Sequence, residues 1–329
     1  MKTERRNFLG AESITLKNST GLVLSLSALG AGIVSVKLPD KDGVLRELTR
    51  LPDSGYGKEY HGLTIGRTSG RIENAEFSID GRNAKLEKNN YGVDNLHGGS
   101  TGFHSKTYSM AVKRGTEYTD VVFKCVSPDG EGGYFGNVKL TVTYRVYENE
   151  NRFAIYFDAV PDTKTLLNIT NHVYWNMSGD LREPSTEQIV YINASRVGDL
   201  NERLIVQKIV DVPEQFDFRT PKKPGLFIND EFVQRYTHGY DHPFFLDGRG
   251  TDKTACSMYS SLSGIKLTVK TTYPCVVVYG DNHEGYKAMC FECQYHPDGI
   301  HACPKDCGVC TAEHPYKEQT EYFFDVDEK

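Results

Sequence analysis

From residue 138 to 160 the chain alternates apolar and polar or small side chains at a period of two. Val138, Leu140, Val142, Tyr144 and Val146 fall on one side, Glu148-Asn149-Glu150-Asn151 turns the chain, and 153–160 returns. Period two places those apolar residues on one face of an extended strand, and it is incompatible with the 3.6-residue stripe of an amphipathic helix. The segment is therefore read as a long antiparallel hairpin with one face against a core. Residues 13–17, 22–26 and 33–36 read as further strands, with Gly30-Ala31-Gly32 turning between the last two. In 77–82 an Asp80-Gly81 pair sits between short strands, and both residues tolerate the positive φ of a tight hairpin turn. Segments 268–279 and 289–294 supply later strands, and no segment carries a long capped helical stripe. The expectation is an all-β protein built as a large β-sandwich. No Pro/Ser-rich linker, composition break or repeat divides it, so 1–329 is read as a single domain, with 211–225 and 244–253 as surface connections.

Composition narrows the function classes. With 38% hydrophobic and 25% charged residues, the 329-residue chain can bury a large core and has neither a disordered nor a membrane profile. A net charge of -6 and a pI near 6.0 argue against nucleic acid, since neutralising phosphates requires clustered Lys and Arg, and no basic run supplies them. Arg5-Arg6-Asn7-Phe8-Leu9 looks like a twin-arginine signal, but the apolar segment that must follow is missing in Ala11-Glu12-Ser13-Ile14-Thr15. No run is long enough to span a membrane, so the expected location is the cytoplasm. On that reading the Asn-x-Ser/Thr sequons at Asn18, Asn168, Asn176 and Asn193 are chance.

Four polar clusters interrupt the strands. In Gly66-Arg67-Thr68-Ser69-Gly70-Arg71-Ile72, Arg71 offers a planar fork of donors to hydroxyl or carboxylate oxygens. In Asn95-Leu96-His97-Gly98-Gly99 the paired glycines let the backbone fold tightly beside the His97 imidazole. The run from Asn168 to Gly179 sets His172 among amides and aromatics and holds the single tryptophan, Trp175. Last, Phe291-Glu292-Cys293-Gln294 places a carboxylate on an apolar strand. Alternation puts Glu292 on one face with Cys290 and Gln294, and an ionised carboxylate buried there needs a partner or a task. Each cluster also has an ordinary structural reading: a satisfied core histidine, a turn histidine, a surface arginine.

Taken together, the clusters resemble the aldose 1-epimerase (galactose mutarotase) family along nearly the whole chain. The likeness is carried by Gly66-Arg67-x-x-Gly70-Arg71-Ile72, Asn95-Leu96-His97-Gly98-Gly99, Ser127-Pro128-Asp129-Gly130-Glu131-Gly132-Gly133-Tyr134 and Asn168-Ile169-Thr170-Asn171-His172-Val173-Tyr174-Trp175-Asn176. It continues in Phe216-Asp217-Phe218-Arg219, Tyr240-Asp241-His242, Val278-Tyr279 and Glu292-x-Gln294. The resemblance implies a mutarotase-like supersandwich whose concave face holds a free sugar of the glucose or galactose type. It implies an isomerase that interconverts α and β anomers with no cofactor and no metal, as a monomer or homodimer. By the same resemblance Glu292 is the base on the C1 hydroxyl, His172 the acid at the ring oxygen, and His97 an assistant to it. Arg71 and Asp241 hold hydroxyls, and Trp175 is placed as a ring stacking on the sugar, with wall packing as its alternative. Independently of the family, burial makes a carboxylate a better base and a histidine can deliver a proton near neutral pH.

Two departures bear on substrate choice. Gly70 stands where many relatives carry Asn, and Val277 falls near where several galactose-acting members place Gln. The alternatives are a hexose 6-phosphate epimerase, which calls for added basic residues, and a noncatalytic sugar binder. Five of the eight cysteines, Cys290, Cys293, Cys303, Cys307 and Cys310, have spacings found in zinc sites. Alternation points Cys290 and Cys293 to opposite faces, so thiols in a reducing compartment are preferred.

Overall fold

A computed structural model describes residues 1–51 and 60–327. The 138–160 hairpin forms as read: Val138–Tyr147 pairs antiparallel with Arg152–Pro161, Val142 facing Phe157, and every second side chain from Val138 to Val146 is buried. These two strands sit inside an eight-stranded sheet. Its order is Ser109–Arg114, Tyr118–Ser127, Val138–Tyr147, Arg152–Pro161, Tyr316–Val326, Ile265–Thr271, Cys256–Ser260 and Ile189–Ile192.

A six-stranded sheet carries the chemistry: Tyr174–Trp175, Met289–Gln294, Cys275–Tyr279, Asp241–Leu246, Ala194–Leu200 and Val206–Asp211, in that order. The third large sheet, of five strands from Lys2–Phe8 to Leu45–Glu47, is a simple meander. All three contribute to one core: Leu16, Leu24 and Val36 from the meander, Phe123, Val142 and Phe157 from the eight-stranded sheet, Val276, Phe291 and Phe244 from the six-stranded one. Burying each such side chain is worth roughly 1.5–3 kcal/mol, so alternation along each strand decides which face turns inward.

The Asp80-Gly81 turn is as expected, with φ of 51° and 76° and Ile79 paired to Arg82. The 268–279 segment divides between two sheets, Ile265–Thr271 and Cys275–Tyr279, breaking at Tyr273-Pro274. Two expectations are corrected. Residues 244–246 are not surface loop: Asp241–Leu246 is an inner strand of the six-stranded sheet, buried on both faces. In 211–225 the connection is irregular, yet Phe216 and Phe218 anchor it in the core. A further strand, Lys2–Phe8, pairs with Ala11–Lys17, so the Arg5-Arg6 pair lies in an exposed edge strand. Among the described residues no helix is long and apolar enough to cross a membrane.

Candidate active site

In the six-stranded sheet Met289, Phe291 and Cys293 face the core, so Cys290, Glu292 and Gln294 face the other way. On the neighbouring strands the same parity turns Val277, Tyr279, Asp241, Pro243 and Leu200 to that side. With Gly70, Arg71, His97 and His172 they line a cleft of ≈ 270 Å³, close to the lower end of small-molecule sites, about 300 Å³.

Each polar group reaches the cleft through its backbone. Asn95–Leu96 pairs with Arg71–Ile72, and His97 then takes φ 55° ahead of Gly98 at 79° and Gly99 at 75°. A Cβ on Gly98 would lie 2.4 Å from the Gly66 carbonyl oxygen, so glycine is required for the loop to fold back this closely. His97 and Gly70 clasp each other: the His97 amide donates to Gly70 O at 3.0 Å, and the Gly70 amide donates to His97 Nδ1 at 3.2 Å. The neutral His97 ring therefore carries its proton on Nε2, as a donor into the cleft. His172 lies between the short strands Thr170–Asn171 and Tyr174–Trp175. Its amide donates to Leu63 O at 3.0 Å and its carbonyl accepts from Gly62 at 2.7 Å.

The His172 ring is held on both edges, with Nε2 3.4 Å from Glu292 Oε1 and Nδ1 3.5 Å from the Cys290 sulfur. Tyr174 stacks beside it at 5.0 Å, and His97 meets it edge-on at 5.5 Å. Across the cleft Arg71 Nη2 stands 3.7 Å from Asp241 Oδ2. Burial dominates the electrostatics. It raises the Glu292 pKa well above the carboxylate range, with Asp241 adding to the shift and Arg71 opposing it. It lowers His172 to about 3, helped by His61, and pushes His97 well down, helped by His172 and Arg71. Asp241 is raised by burial against the pull of Arg71. Val277, paired directly with Glu292, is part of the apolar wall that desolvates it.

The site residues anticipated from sequence converge in this cleft, except Trp175. Trp175 pairs with Met289, a core-facing position, and its ring is fully buried against Tyr322 and Phe324 at 5.4 and 5.9 Å. It is core, not a ring against the ligand. The aromatic wall belongs instead to Tyr174, one residue earlier, and to Tyr279 and Tyr60. Tyr174 was legible: His172 and Tyr174 share a parity that excludes Trp175. Tyr60 lies in an irregular segment that carries no such signal. Arg67, four residues before Arg71, turns away from the cleft to donate to Ser127 Oγ and the carbonyls of Ser127, Pro128, Phe135 and Gly136.

His97, His172 and Glu292 bring one ligand atom each within 4.8 Å of one another, close enough for a cation. The donor set does not suit one, because the His97 Nδ1 lone pair is taken by the Gly70 amide and Nε2 bears the proton. The cysteines disperse: Cys290 lies on the cleft side of its strand, Cys293 and Cys310 lie in the main core, and Cys307 in a smaller cluster with Ile72 and Phe77.

The aldose 1-epimerase family model matches residues 12–322. The chain is 31% identical to an aldose 1-epimerase of Escherichia coli over 94% of both proteins, and 29% identical to a galactose mutarotase of Mus musculus over 86% of this chain and 85% of that one. Among solved structures, a galactose 1-epimerase from Lactobacillus acidophilus superposes with a TM-score of 0.86 at 26% identity, covering 98% of each chain. With the family model matching nearly the whole chain, the chain belongs to the aldose 1-epimerase family.

Proposed function

We propose that the protein is a mutarotase for a free aldose of the glucose or galactose type. The observation that carries this reading is the 3.4 Å pairing of His172 and Glu292, both buried, at the floor of a cleft of monosaccharide scale. The two oxygens that exchange protons in anomer interconversion, O1 and the ring oxygen, are bonded to the same carbon. An acid and a base must therefore stand side by side, as these two do. Glu292 takes the proton from the C1 hydroxyl, the bond from C1 to the ring oxygen breaks, and His172 delivers a proton to that oxygen. The open-chain aldehyde rotates about C1–C2, and the same transfers in reverse close the other anomer. A neutral carboxyl beside a neutral imidazole holds the same number of protons as a carboxylate beside an imidazolium, so the reactive charge state is reached by moving one proton within the cleft. His97 assists as a donor from Nε2, while Arg71 and Asp241 supply a donor and an acceptor to vicinal hydroxyls.

A 6-phosphorylated hexose is disfavoured as substrate. Among the described lining residues Arg71 is the one permanent cation, and it faces Asp241 and Glu292. The test is the mutarotation of freshly dissolved α-glucose and α-galactose followed by polarimetry. Acceleration over buffer is expected, with Glu292→Gln binding sugar yet losing about 10²–10⁴ in rate. No acceleration with any aldose, or an undiminished rate in Glu292→Gln, would refute the assignment. Binding without turnover would select a noncatalytic sugar-binding role.

A further inference from the structure

Gln294 ends the strand that carries Glu292 and shares its cleft-facing parity. It is fully buried, and neither its Oε1 nor its Nε2 has a hydrogen-bond partner within the protein. A buried carboxamide with every bond unmade is costly, so this position is explained by something that completes it. Directly opposite is Gly70 at φ 72°, where a Cβ would lie 3.4 Å from Gln294 Nε2 and 3.0 Å from the Pro297 Cβ. The bare backbone at position 70 thus borders this amide at the cleft floor.

We propose that Gln294 is a specificity-determining residue that reads a hydroxyl pair of the sugar, donating from Nε2 to one oxygen and accepting at Oε1 from its neighbour. The inference rests on the mutarotase reading and deepens it. A neutral carboxamide two residues along the strand from Glu292 matches a neutral polyol and offers no positive charge to a phosphate or a uronic acid carboxylate. Because one group donates and accepts at once, it discriminates sugars by the presence and orientation of two adjacent hydroxyls. Discrimination of this kind comes from buried polar groups that the wrong sugar leaves unpaired.

The experiment compares wild type, Gln294→Leu and Gly70→Asn on the best aldose and on its monodeoxy analogues, with calorimetric binding and initial rates measured separately. Leucine is close to isosteric with glutamine, and asparagine tolerates the left-handed backbone at position 70 while crowding the Gln294 amide. Wild type is expected to lose affinity for one or two adjacent deoxy analogues. Gln294→Leu should lose about five- to tenfold in kcat/KM on the parent sugar, mainly through KM, and nothing further on those same analogues. Gly70→Asn should show the same positional signature. A parent value within twofold of wild type, or a loss of equal size on every analogue, overturns the proposal. If Gln294→Leu does not fold, Gly70→Asn decides by the same criterion. A wild type that binds the series but turns over none of it would remove the mutarotase reading, while the binding data would still decide the role of Gln294. A wild type that binds no sugar would end both.

Discussion

The side chains that matter most in this cleft are held in their less comfortable states. Glu292 is buried beside Val277 and near Asp241, which disfavours its charge and raises its pKa. The sign for stability follows. In the unfolded chain Glu292 ionises near pH 4.5, whereas in the folded protein it keeps its proton to a much higher pH. Its contribution to folding is therefore complete below about pH 4.5, the unfolded value, and is lost progressively as pH rises toward the folded value, at about 1.4 kcal/mol per unit of pKa difference. Glu292→Gln has no such loss. Its melting temperature is expected to exceed that of wild type by a margin that widens between pH 4 and pH 8, read by thermal unfolding across that range. A margin constant with pH would mean that Glu292 titrates like a surface carboxylate. Parity placed Glu292 with Cys290 and Gln294 correctly, and the same parity, applied to His172, Tyr174 and Trp175, puts the tyrosine in the cleft and the tryptophan in the core. Strand parity, not the rarity of tryptophan, marks the ring that faces the cleft.

At the scale of elements, a single motif can divide its labour. Of the two arginines in Gly66-Arg67-Thr68-Ser69-Gly70-Arg71, the first is structural and the second faces the cleft. Arg67 is buried and spans the connection between Tyr118–Ser127 and Val138–Tyr147 with five hydrogen bonds, four of them to backbone carbonyls. Those carbonyls belong to the Ser127-Pro128-Asp129-Gly130-Glu131-Gly132-Gly133-Tyr134 motif and the two residues beyond it, so two stretches that looked like separate signatures form one clamp. Lysine lacks the planar fork and has fewer donors, and the orphaned carbonyls would remain buried. Arg67→Lys is expected to lose at least about 2 kcal/mol in urea unfolding, with faster hydrogen exchange in 128–136. A change within about 0.5 kcal/mol, typical of a surface substitution, would contradict the clamp. Which strands were legible follows from the same physics. Half-buried strands such as Val138–Tyr147 announce themselves by alternation, whereas Asp241–Leu246, buried on both faces, has none, and the exposed Lys2–Phe8 has almost no apolar residue to alternate.

For the whole molecule, strand order is the part that the sequence conceals most. Tyr316–Val326 inserts between Arg152–Pro161 and Ile265–Thr271, and Tyr174–Trp175 pairs with Met289–Gln294 across more than a hundred residues of chain. Nothing local specifies such pairings; they follow from which apolar faces can be buried together. The consequence is a core with no seam. Leu24 of the five-stranded meander, Phe123 of the eight-stranded sheet and Phe291 of the six-stranded sheet belong to one continuous cluster, and the site lies on the outer face of the six-stranded sheet. We therefore propose that the chain unfolds as one unit, since no sheet can lose its partner without exposing the shared core. Calorimetry should show a single transition with equal van't Hoff and calorimetric enthalpies, of roughly 230 kcal/mol near 60 °C by the usual per-residue scaling. A saturating sugar should shift that transition upward as a whole, because a ligand bound only to the native state stabilises everything that unfolds with it. Two resolved transitions, with sugar moving one and not the other, would show that the sheets form separate cooperative units and that the cleft depends on only part of the core.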